Sequence, residues 1–243
     1  MNRIFLLALL LFSFVSAAHA AVHWSYDGNE GPENWGRLSR EFSRCATGKN
    51  QSPIDIRDVV RTKLKPLVFT YTSHAQEIEN TGLGILLNFA EGSSMTVDKQ
   101  QFELKQALFH MPGEHLVNGK SFPMEIQLLH ADKDGNQAIV SVMVSPGKAN
   151  PVLEKILDKL PSKAGKRNEL GDNVTGLNLL PKSRSYYRYN GSLTTPPCTE
   201  GVRWLVMKSA IQASSEQLRL LNNVMKGSNN RPLQEINARQ VIE

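Results

Sequence analysis

Histidine and glutamate side chains that could bind a metal or move a proton fall in two short segments. His110, Glu114 and His115 occupy the first segment, and Glu125 and His130 occupy the second. Alternate residues of a β-strand point to the same face, so side chains two residues apart can grip one ion. His110 and His115 are five residues apart, across a proline, and do not meet that condition. We therefore expect His115 and His130 to be hydrogen-bonded core histidines. His110 is either a third core histidine or a weak or shared metal ligand.

The motifs of several other functional classes are missing from the sequence. There is no G-x-S-x-G segment, no glycine-rich phosphate loop and no dinucleotide-binding fingerprint, and two cysteines are too few for a cysteine zinc site. The net charge is +5, and the densest basic cluster is Lys163, Lys166 and Arg167. We expect this cluster to be a solvated surface in a glycine-containing loop. Nucleic-acid binding normally requires a concentrated basic stripe, so we expect no nucleic-acid partner.

The first twenty residues indicate export. Arg3 precedes an apolar run from Ile4 to Val15, and Ala18-His19-Ala20 follows. This order is typical of a secretory signal peptide cleaved after Ala20, which leaves residues 21–243 as the folded domain. The apolar run is shorter than the ~20 residues that a membrane span requires, and no later segment reaches that length. The sequence therefore predicts an exported protein, periplasmic or extracellular, without a membrane span.

Cys45 and Cys198 are the only cysteines in the sequence. Two thiols in an exported chain usually pair. A bridge between them would close a loop of about 150 residues, which the chain-entropy model values at roughly 5 kcal/mol. Two free structural thiols are the alternative.

The elements that must position these residues are mainly short strands, because runs rich in β-branched and aromatic residues alternate with Gly, Asn, Asp and Pro. The predicted strands are Leu67–Thr72, Ile85–Phe89, Ser94–Val97, Phe102–His110, Met124–His130, Ala138–Val144, Tyr186–Tyr189 and Arg203–Lys208. Asp134-Gly135 predicts a hairpin. Asn150 before Pro151, and Ser214 with Gln217, predict two helix starts. No change of composition marks a domain boundary, so the fold class is mainly β (α+β), a single domain with short peripheral helices.

Several segments together resemble the α-class carbonic anhydrases, in particular the secreted bacterial members. These segments are HWSY at 23–26, GPENW at 31–35, NQSPIDI at 50–56, PGEH at 112–115, EIQLLHAD at 125–132, GSLTTPPC at 191–198, Trp204, and SSEQ at 214–217. They follow the family's order over nearly all of residues 22–243. The resemblance implies a large, twisted, mostly antiparallel central sheet with a conical cleft. It also implies a disulfide, since Cys45 and Cys198 match a cysteine pair of the secreted bacterial members.

The resemblance also assigns the positions of a zinc site. Family enzymes hold zinc with three histidines, two from an H-x-H pair and one from the neighbouring strand, and the bound water becomes a hydroxide that attacks carbon dioxide. Leu108 and His110 match the pair, and Gln127 matches the third ligand, so His110 is the one family ligand retained. Leucine cannot coordinate, and a glutamine carbonyl is a poor donor for zinc. Leu83 matches the position of the family's histidine proton shuttle, which is therefore lost.

Residues that surround the ligands in the family are better kept. Gln106 and Glu125 match residues that hydrogen-bond the ligand histidines, and Thr194 and Glu114 match the pair that orients the zinc-bound hydroxide. Such residues orient a metal but do not replace its ligands. Without a histidine partner, Glu125 can accept a hydrogen bond from the Gln127 amide.

We therefore expect an exported carbonic-anhydrase-like protein without hydratase activity, without a cofactor, and with a binding or structural role. The sequence names no partner, although its basic character is compatible with a small ligand or an anionic surface partner. The alternative is an active zinc-dependent carbonic anhydrase that uses His110, Gln127 and a third donor. A different metal or a different chemistry in the same cleft has no positive sign in the sequence.

Overall fold

The computed structural model describes residues 22–171 and 174–243. The predicted signal peptide, residues 1–20, lies outside the described residues. The strands are β1 Asp55–Ile56, β2 Val68–Thr70, β3 Ala75–Asn80, β4 Ile85–Phe89, β5 Ser94–Val97, β6 Gln100–His110, β7 Leu116–Val117, β8 Met124–Ala131, β9 Gln137–Pro146, β10 Lys166–Glu169, β11 Tyr186–Ser192, β12 Glu200–Met207 and β13 Ile211–Ala213. The helices are α1 Trp35–Leu38, α2 Arg44–Thr47, α3 Pro151–Lys159 and α4 Ser215–Met225, with 3₁₀ turns at Gly28–Glu30, Arg40–Phe42 and Gly176–Leu179.

Within the described residues, eleven strands form one mixed sheet. Its order is β10-β3-β4-β6-β8-β9-β12-β11, and β5 pairs with β6, β2 with β5, and β13 with β9. The strands are antiparallel except where β12 and β13 run parallel to β9. β1 and β7 form a separate parallel pair. These features confirm the predicted mainly β fold with a large, mostly antiparallel sheet and short helices.

The two faces of the central sheet carry different side chains. Because successive side chains of a strand point to opposite faces, a strand that is covered on both sides can place apolar and polar residues alternately. On β8, Met124, Ile126 and Leu128 enter the larger hydrophobic core. Glu125 and Gln127 point to the opposite face and are also buried. That second face carries a smaller apolar cluster built largely from β9 and β12, and the candidate site lies on it.

The local signals for helix starts and for the hairpin are confirmed. The Asn150 side chain accepts a hydrogen bond from the Val152 amide at the start of α3. Ser214 and Gln217 form the reciprocal capping box that begins α4. The turn containing Gly135, at φ +81°, joins β8 to β9. These signals act over a few residues, which is why the sequence alone reveals them.

Three predictions about strands and loops need correction. Only Val68–Thr70 of the predicted strand Leu67–Thr72 is paired, because its partner β5 is itself short. Strands β3 and β10 are absent from the sequence prediction, since AQEIEN and KRNE show little apolar patterning. Lys166 and Arg167 therefore lie on an edge strand and not in a loop. Arg167 Nε is 2.9 Å from Glu79 Oε2 on the paired strand.

The described helices are short. The longest is α4, with 11 residues, and none of the helices in residues 22–171 and 174–243 combines the span and the apolar character that a bilayer crossing requires.

Candidate functional site

The three positions assigned to zinc ligands come together on the second face of the sheet. Leu108 lies directly opposite Gln127 in the antiparallel pairing of β6 with β8, and His110 lies opposite Glu125. Directly opposite residues have Cβ atoms about 4.5–5.5 Å apart, so the side chains are neighbours. The structure thus brings Leu108, His110 and Gln127 into one cluster, and a single imidazole is present where the family has three.

His110 is buried, with 2% of its surface exposed. Its Nδ1 is 2.8 Å from the carbonyl oxygen of Asn229. A carbonyl oxygen only accepts, so Nδ1 carries a proton, and in the neutral form of the ring Nε2 then carries a lone pair. Nε2 is buried without a hydrogen-bond partner among the described residues. The sequence left two interpretations open for His110, and the structure gives it one satisfied nitrogen and one unused lone pair.

The Gln127 side chain joins two buried carboxylates. Its amide nitrogen donates to Glu114 Oε2 at 2.7 Å and to Glu125 Oε1 at 3.0 Å. Both amide protons are therefore used, and an amide nitrogen has no lone pair to offer a metal. The hydrogen bond expected between Gln127 and Glu125 is present, and the contact to Glu114 accompanies it.

Glu125 accepts five hydrogen bonds at the centre of the cluster. Oε2 accepts from the backbone amides of Glu114 and His115, each at 2.9 Å. Oε1 accepts from Ser141 Oγ at 2.8 Å and from His115 Nδ1 at 2.9 Å, in addition to the Gln127 amide. Burial by itself raises the pKa of this carboxyl, but the charge and hydrogen bonds of His115 outweigh burial and lower the pKa to about 2. Glu125 is thus held as a carboxylate.

A chain of hydrogen bonds continues outward from His115. His115 Nε2 is 2.7 Å from the Tyr189 hydroxyl, which is 2.8 Å from Ser52 Oγ. Burial raises the pKa of Tyr189 well above its ordinary value, so its hydroxyl stays protonated. A Cβ at Gly191 would lie 2.1 Å from Ser52 Oγ, so a glycine is required for this close approach. Both ring nitrogens of His115 are satisfied, which confirms the prediction of a core histidine.

His130 is the other predicted core histidine, and it lies on the opposite face of β8. Its Nε2 hydrogen-bonds the Tyr71 hydroxyl, which confirms the prediction, while Nδ1 is buried without a partner among the described residues. Burial lowers the pKa of His130 to about 4. The ring is therefore neutral at physiological pH, and it has no contact with the candidate site among the hydrogen bonds of the described residues.

Glu114 is held by groups other than Thr194. Its Oε1 accepts from the backbone amide of Arg231 at 2.8 Å, and its Oε2 accepts from Gln127. Thr194 is buried, but no hydrogen bond of the described residues joins it to Glu114. The pair that the resemblance assigns to orienting a hydroxide is thus not joined by a hydrogen bond of the described residues.

Gln106 and Leu83 are two further positions that the resemblance assigns, and neither is hydrogen-bonded to a residue at the ligand positions in the described part of the chain. Gln106 donates to Asn88 Oδ1 at 2.9 Å across the pairing of β6 with β4, and not to a histidine. Leu83, at the shuttle position, is half-buried in the turn between β3 and β4. Its side chain has no titratable atom, so it cannot relay a proton.

Sequence reasoning missed two groups from a late loop. Asn229 supplies the carbonyl that fixes His110, and Arg231 is 2% exposed with its guanidinium bound to Gln51 Oε1 and to the carbonyls of Ser52 and Cys45. Burial lowers the pKa of Arg231 to about 10, and it remains a cation. These residues belong to no strand or helix, and the sequence offers no spacing signal that could have assigned them.

The predicted disulfide is confirmed. Cys45 and Cys198 have an S–S distance of 2.12 Å and a Cα–Cα distance of 5.0 Å. The Cys45 carbonyl accepts from Arg231, and the Cys198 carbonyl accepts from Gln51 Nε2 at 3.1 Å. The bridge therefore joins the two segments that enclose the buried guanidinium.

The residues at the ligand positions do not fit the zinc ion that the resemblance implies. A catalytic zinc site normally needs three protein donors and an open fourth position. Here Leu108 has no donor, the Gln127 amide nitrogen is occupied, and His110 offers one lone pair. Over residues 22–171 and 174–243, no group of three or more His, Cys, Asp or Glu side chains is arranged to hold a metal. No reaction step through zinc is derived from this donor set.

Comparisons with known proteins give consistent results. Residues 30–243 match the family model described as eukaryotic-type carbonic anhydrase. A carbonic anhydrase of Pectobacterium carotovorum is 41% identical over 234 residues, which is 96% of each chain. The α-carbonic anhydrase of Thermovibrio ammonificans, solved with the inhibitor sulfanilamide, superposes with a TM-score of 0.90 at 46% identity, over 92% of this chain and all of the other. Dioscorin complexed with ascorbate superposes with a TM-score of 0.83 at 35% identity, over 90% and 97% of the two chains.

Proposed function

This chain belongs to the eukaryotic-type, or α-class, carbonic anhydrase family, and we propose that it is a member that does not hydrate carbon dioxide and that serves a binding or structural role. The observation that carries the proposal is the donor set at the three ligand positions. One of the three residues is a histidine, one has no donor atom, and one is an amide whose protons bind carboxylates.

The surroundings of the ligand positions support the same proposal. In the family pattern Thr194 and Glu114 orient the hydroxide together, but no hydrogen bond of the described residues joins these two side chains, and Gln127 donates to Glu114 Oε2. At the position of the proton shuttle, Leu83 provides no titratable group. Three separate parts of the family's chemistry are therefore changed in one molecule.

The alternative is an active zinc-dependent enzyme, and the names of the relatives favour it. The Pectobacterium protein is named a carbonic anhydrase, and the chain matches it over nearly its whole length. Activity would require His110 Nε2, the Gln127 carbonyl and a third donor, whereas no group of three His, Cys, Asp or Glu side chains in the described part of the chain is arranged to hold a metal. A neutral carbonyl oxygen is a weaker match to zinc than imidazole, so this alternative has less physical support.

The face of the sheet that carries Leu108 has a partly apolar surface. Leu108, Leu86 and Leu129 are partly buried there, on three neighbouring strands. Leucine at a ligand position replaces a charged centre by an apolar surface. Two solved relatives carry small molecules, sulfanilamide in one and ascorbate in the other, and we infer that this face of the sheet binds a small molecule in this chain.

Export completes the proposal. A signal peptide over residues 1–20 fits the disulfide of Cys45 with Cys198, since such bridges persist in oxidising compartments. Location in the periplasm or outside the cell follows from this inference.

The proposal is tested by measuring hydration of carbon dioxide by stopped flow after loading the purified protein with zinc. The wild-type rate is expected to equal that of buffer. The double variant Leu108→His with Gln127→His is expected to gain activity, because it completes three imidazoles in front of Glu125. Each single variant is the matched control, since two imidazoles leave the site one ligand short. Wild-type hydration that chelation abolishes would overturn the proposal.

A further inference from the structure

A groove away from the candidate site concentrates positive charge. It has a volume of about 490 Å³ and is bounded by residues 62–66, by residues 184–186, by Lys208 and by Glu243. We call it the basic groove. Four of its lining side chains are cationic, namely Lys63, Lys65, Arg184 and Lys208, and one is a carboxylate.

Two of the cations are fixed on the wall of the groove. The Arg184 guanidinium lies 5.6 Å from the centre of the Phe69 ring and donates to the Pro181 carbonyl. The Lys208 ammonium lies 4.9 Å from the centre of the Tyr187 ring. Burial lowers the pKa of Arg184, so its ion has lost part of its water shell. A partly desolvated cation in a fixed position gains more from an anion than a free surface lysine does.

The remaining cations have no acid of their own. Lys63 and Lys65 are exposed, and neither forms an ion pair with a described residue. Glu243 has the one acidic side chain of the lining, and it is already shared by Lys208 at 2.5 Å and Arg61 at 3.5 Å. Positive charge in the groove therefore exceeds the negative charge that the described residues provide.

The groove is preformed by hydrogen bonds on both sides. The Tyr186 hydroxyl donates to the Lys65 carbonyl at 2.7 Å, and the Thr62 amide donates to the Glu243 carbonyl at 2.6 Å. These bonds hold the segment of residues 62–66 against β11 and its neighbours. A site that exists before binding has a smaller ordering cost when the ligand arrives.

We propose that the basic groove binds a compact oxyanion with two or more negative charges, of the phosphate or sulfate class. Multiple negative charges match two fixed and two flexible cations, and Lys and Arg are the usual ligands of such groups. The volume is within the range of small-molecule sites. The anionic group belongs either to a soluble molecule or to a lipid headgroup, and the recognising chemistry is the same.

The test is calorimetric titration of the purified protein with pyrophosphate at low ionic strength, against chloride at equal ionic strength. Saturable binding of pyrophosphate is expected, weakening as salt rises. The double variant Lys63→Gln with Lys65→Gln should lower the affinity by about tenfold or more. The matched control is Lys163→Gln with Lys166→Gln, which removes the same charge from two exposed lysines outside the groove. Arg184→Gln is a second variant, expected to lower the affinity at an unchanged unfolding midpoint.

Vesicles separate the two sources of the anion. Phosphatidic acid in phosphatidylcholine is compared with phosphatidylcholine alone. Binding that Lys63→Gln with Lys65→Gln abolishes supports the proposal with a lipid headgroup as ligand. Pyrophosphate binding without vesicle binding supports it with a soluble ligand. Absence of saturable pyrophosphate binding, or an equal loss in both lysine pairs, overturns it.

Discussion

The ligand positions and the polar network behind them differ in what they keep from the family. Of Leu108, His110 and Gln127, one residue is a histidine. Behind them, Glu125 Oε1 accepts hydrogen bonds from His115 Nδ1 at 2.9 Å and from Ser141 Oγ at 2.8 Å. The protein's own groups supply all five hydrogen bonds to Glu125, so the network is complete without a contribution from a metal. A buried carboxylate needs partners whether or not zinc is present.

Gln127 connects the ligand positions to the polar network around Glu125. A residue without a donor at position 127 would leave Glu114 and Glu125 each one hydrogen bond short, at a cost of about 1–3 kcal/mol. The Gln127 amide supplies one donor to each. The ligand positions thus lack the donors of a zinc site, while the hydrogen bonds of the polar network around Glu125 remain complete.

The largest expected effect comes from substituting Glu125, which lies at the centre of this polar network. Glu125→Gln replaces an acceptor of five hydrogen bonds by a group that is itself a donor, so we expect a loss of roughly 3–5 kcal/mol in the free energy of unfolding. Urea denaturation measures it. Glu103→Gln is the matched control, because Glu103 forms its ion pair with Lys105 at the surface, and its loss should stay within about 0.5 kcal/mol. Similar losses in the two variants would contradict a structural role of the network.

The dependence of the free energy of unfolding on pH should reveal the protonation of Glu125. The pKa of Glu125 is lowered to about 2 in the folded protein from an ordinary 4.5. Its contribution to stability is therefore complete above pH 4.5 and is lost as the pH falls towards 2. In Glu125→Gln that part of the acid dependence should disappear, and its persistence would assign it to other groups.

His130, on the opposite face of β8, should affect the free energy of unfolding at a higher pH than Glu125 does. His130 has a folded pKa of about 4, below its ordinary 6.5. The unfolded chain takes up the proton first, so stability is complete above pH 6.5 and falls as the pH drops towards 4, by about 3 kcal/mol. Free energies of unfolding at pH 7 and pH 4 measure it, with His130→Gln as the comparison. An unchanged pH dependence in that variant would show that another group carries the effect.

A smaller effect is expected where the two regions meet. Gln127→Met removes one donor from each of Glu114 and Glu125, which should cost about 2 kcal/mol. Gln106→Met is the matched control, since the Gln106 amide bonds only the half-buried Asn88. Chemical denaturation of both variants gives the comparison. If the two losses are equal, the bridging of carboxylates by Gln127 has no special value.

The smallest effect is expected at Thr194. Without a hydrogen bond to Glu114, Thr194→Val should change the free energy of unfolding by about 0.5 kcal/mol or less. The same denaturation assay applies. A loss as large as that of Gln127→Met would mean that the threonine and the carboxylate are linked as the family pattern implies.

Local signals in the sequence predicted much of the fold. The starts of α3 and α4 depend on Asn150 and Ser214, and the hairpin depends on the turn at Gly135, each acting within a few residues. Strands β3 and β10 escaped prediction because their sequences are largely polar; β10 is held by pairing with β3, which lies far away in the chain, and β3 also pairs with the adjacent strand β4. Tertiary pairing, and not propensity, decides such strands.

The candidate site was predictable in its strands and not in its loop. The alternation of residues on β6 and β8 places Leu108, His110, Glu125 and Gln127 on one face, as the resemblance required. The carbonyl of Asn229, which decides the tautomer of His110, is 119 residues away in the chain and follows no periodic pattern. Contacts of this kind depend on the assembled fold and leave no local signal.

The most direct test of the central claim is the zinc content of the purified protein, measured by elemental mass spectrometry after equilibration with zinc and dialysis. The Leu108→His and Gln127→His double variant, prepared in parallel, shows that the procedure retains a bound ion. The account predicts about one zinc per chain in the double variant and far less than one in the folded wild type. About one zinc per wild-type chain, removed by a chelator, would contradict it and would place a third donor in front of Glu125.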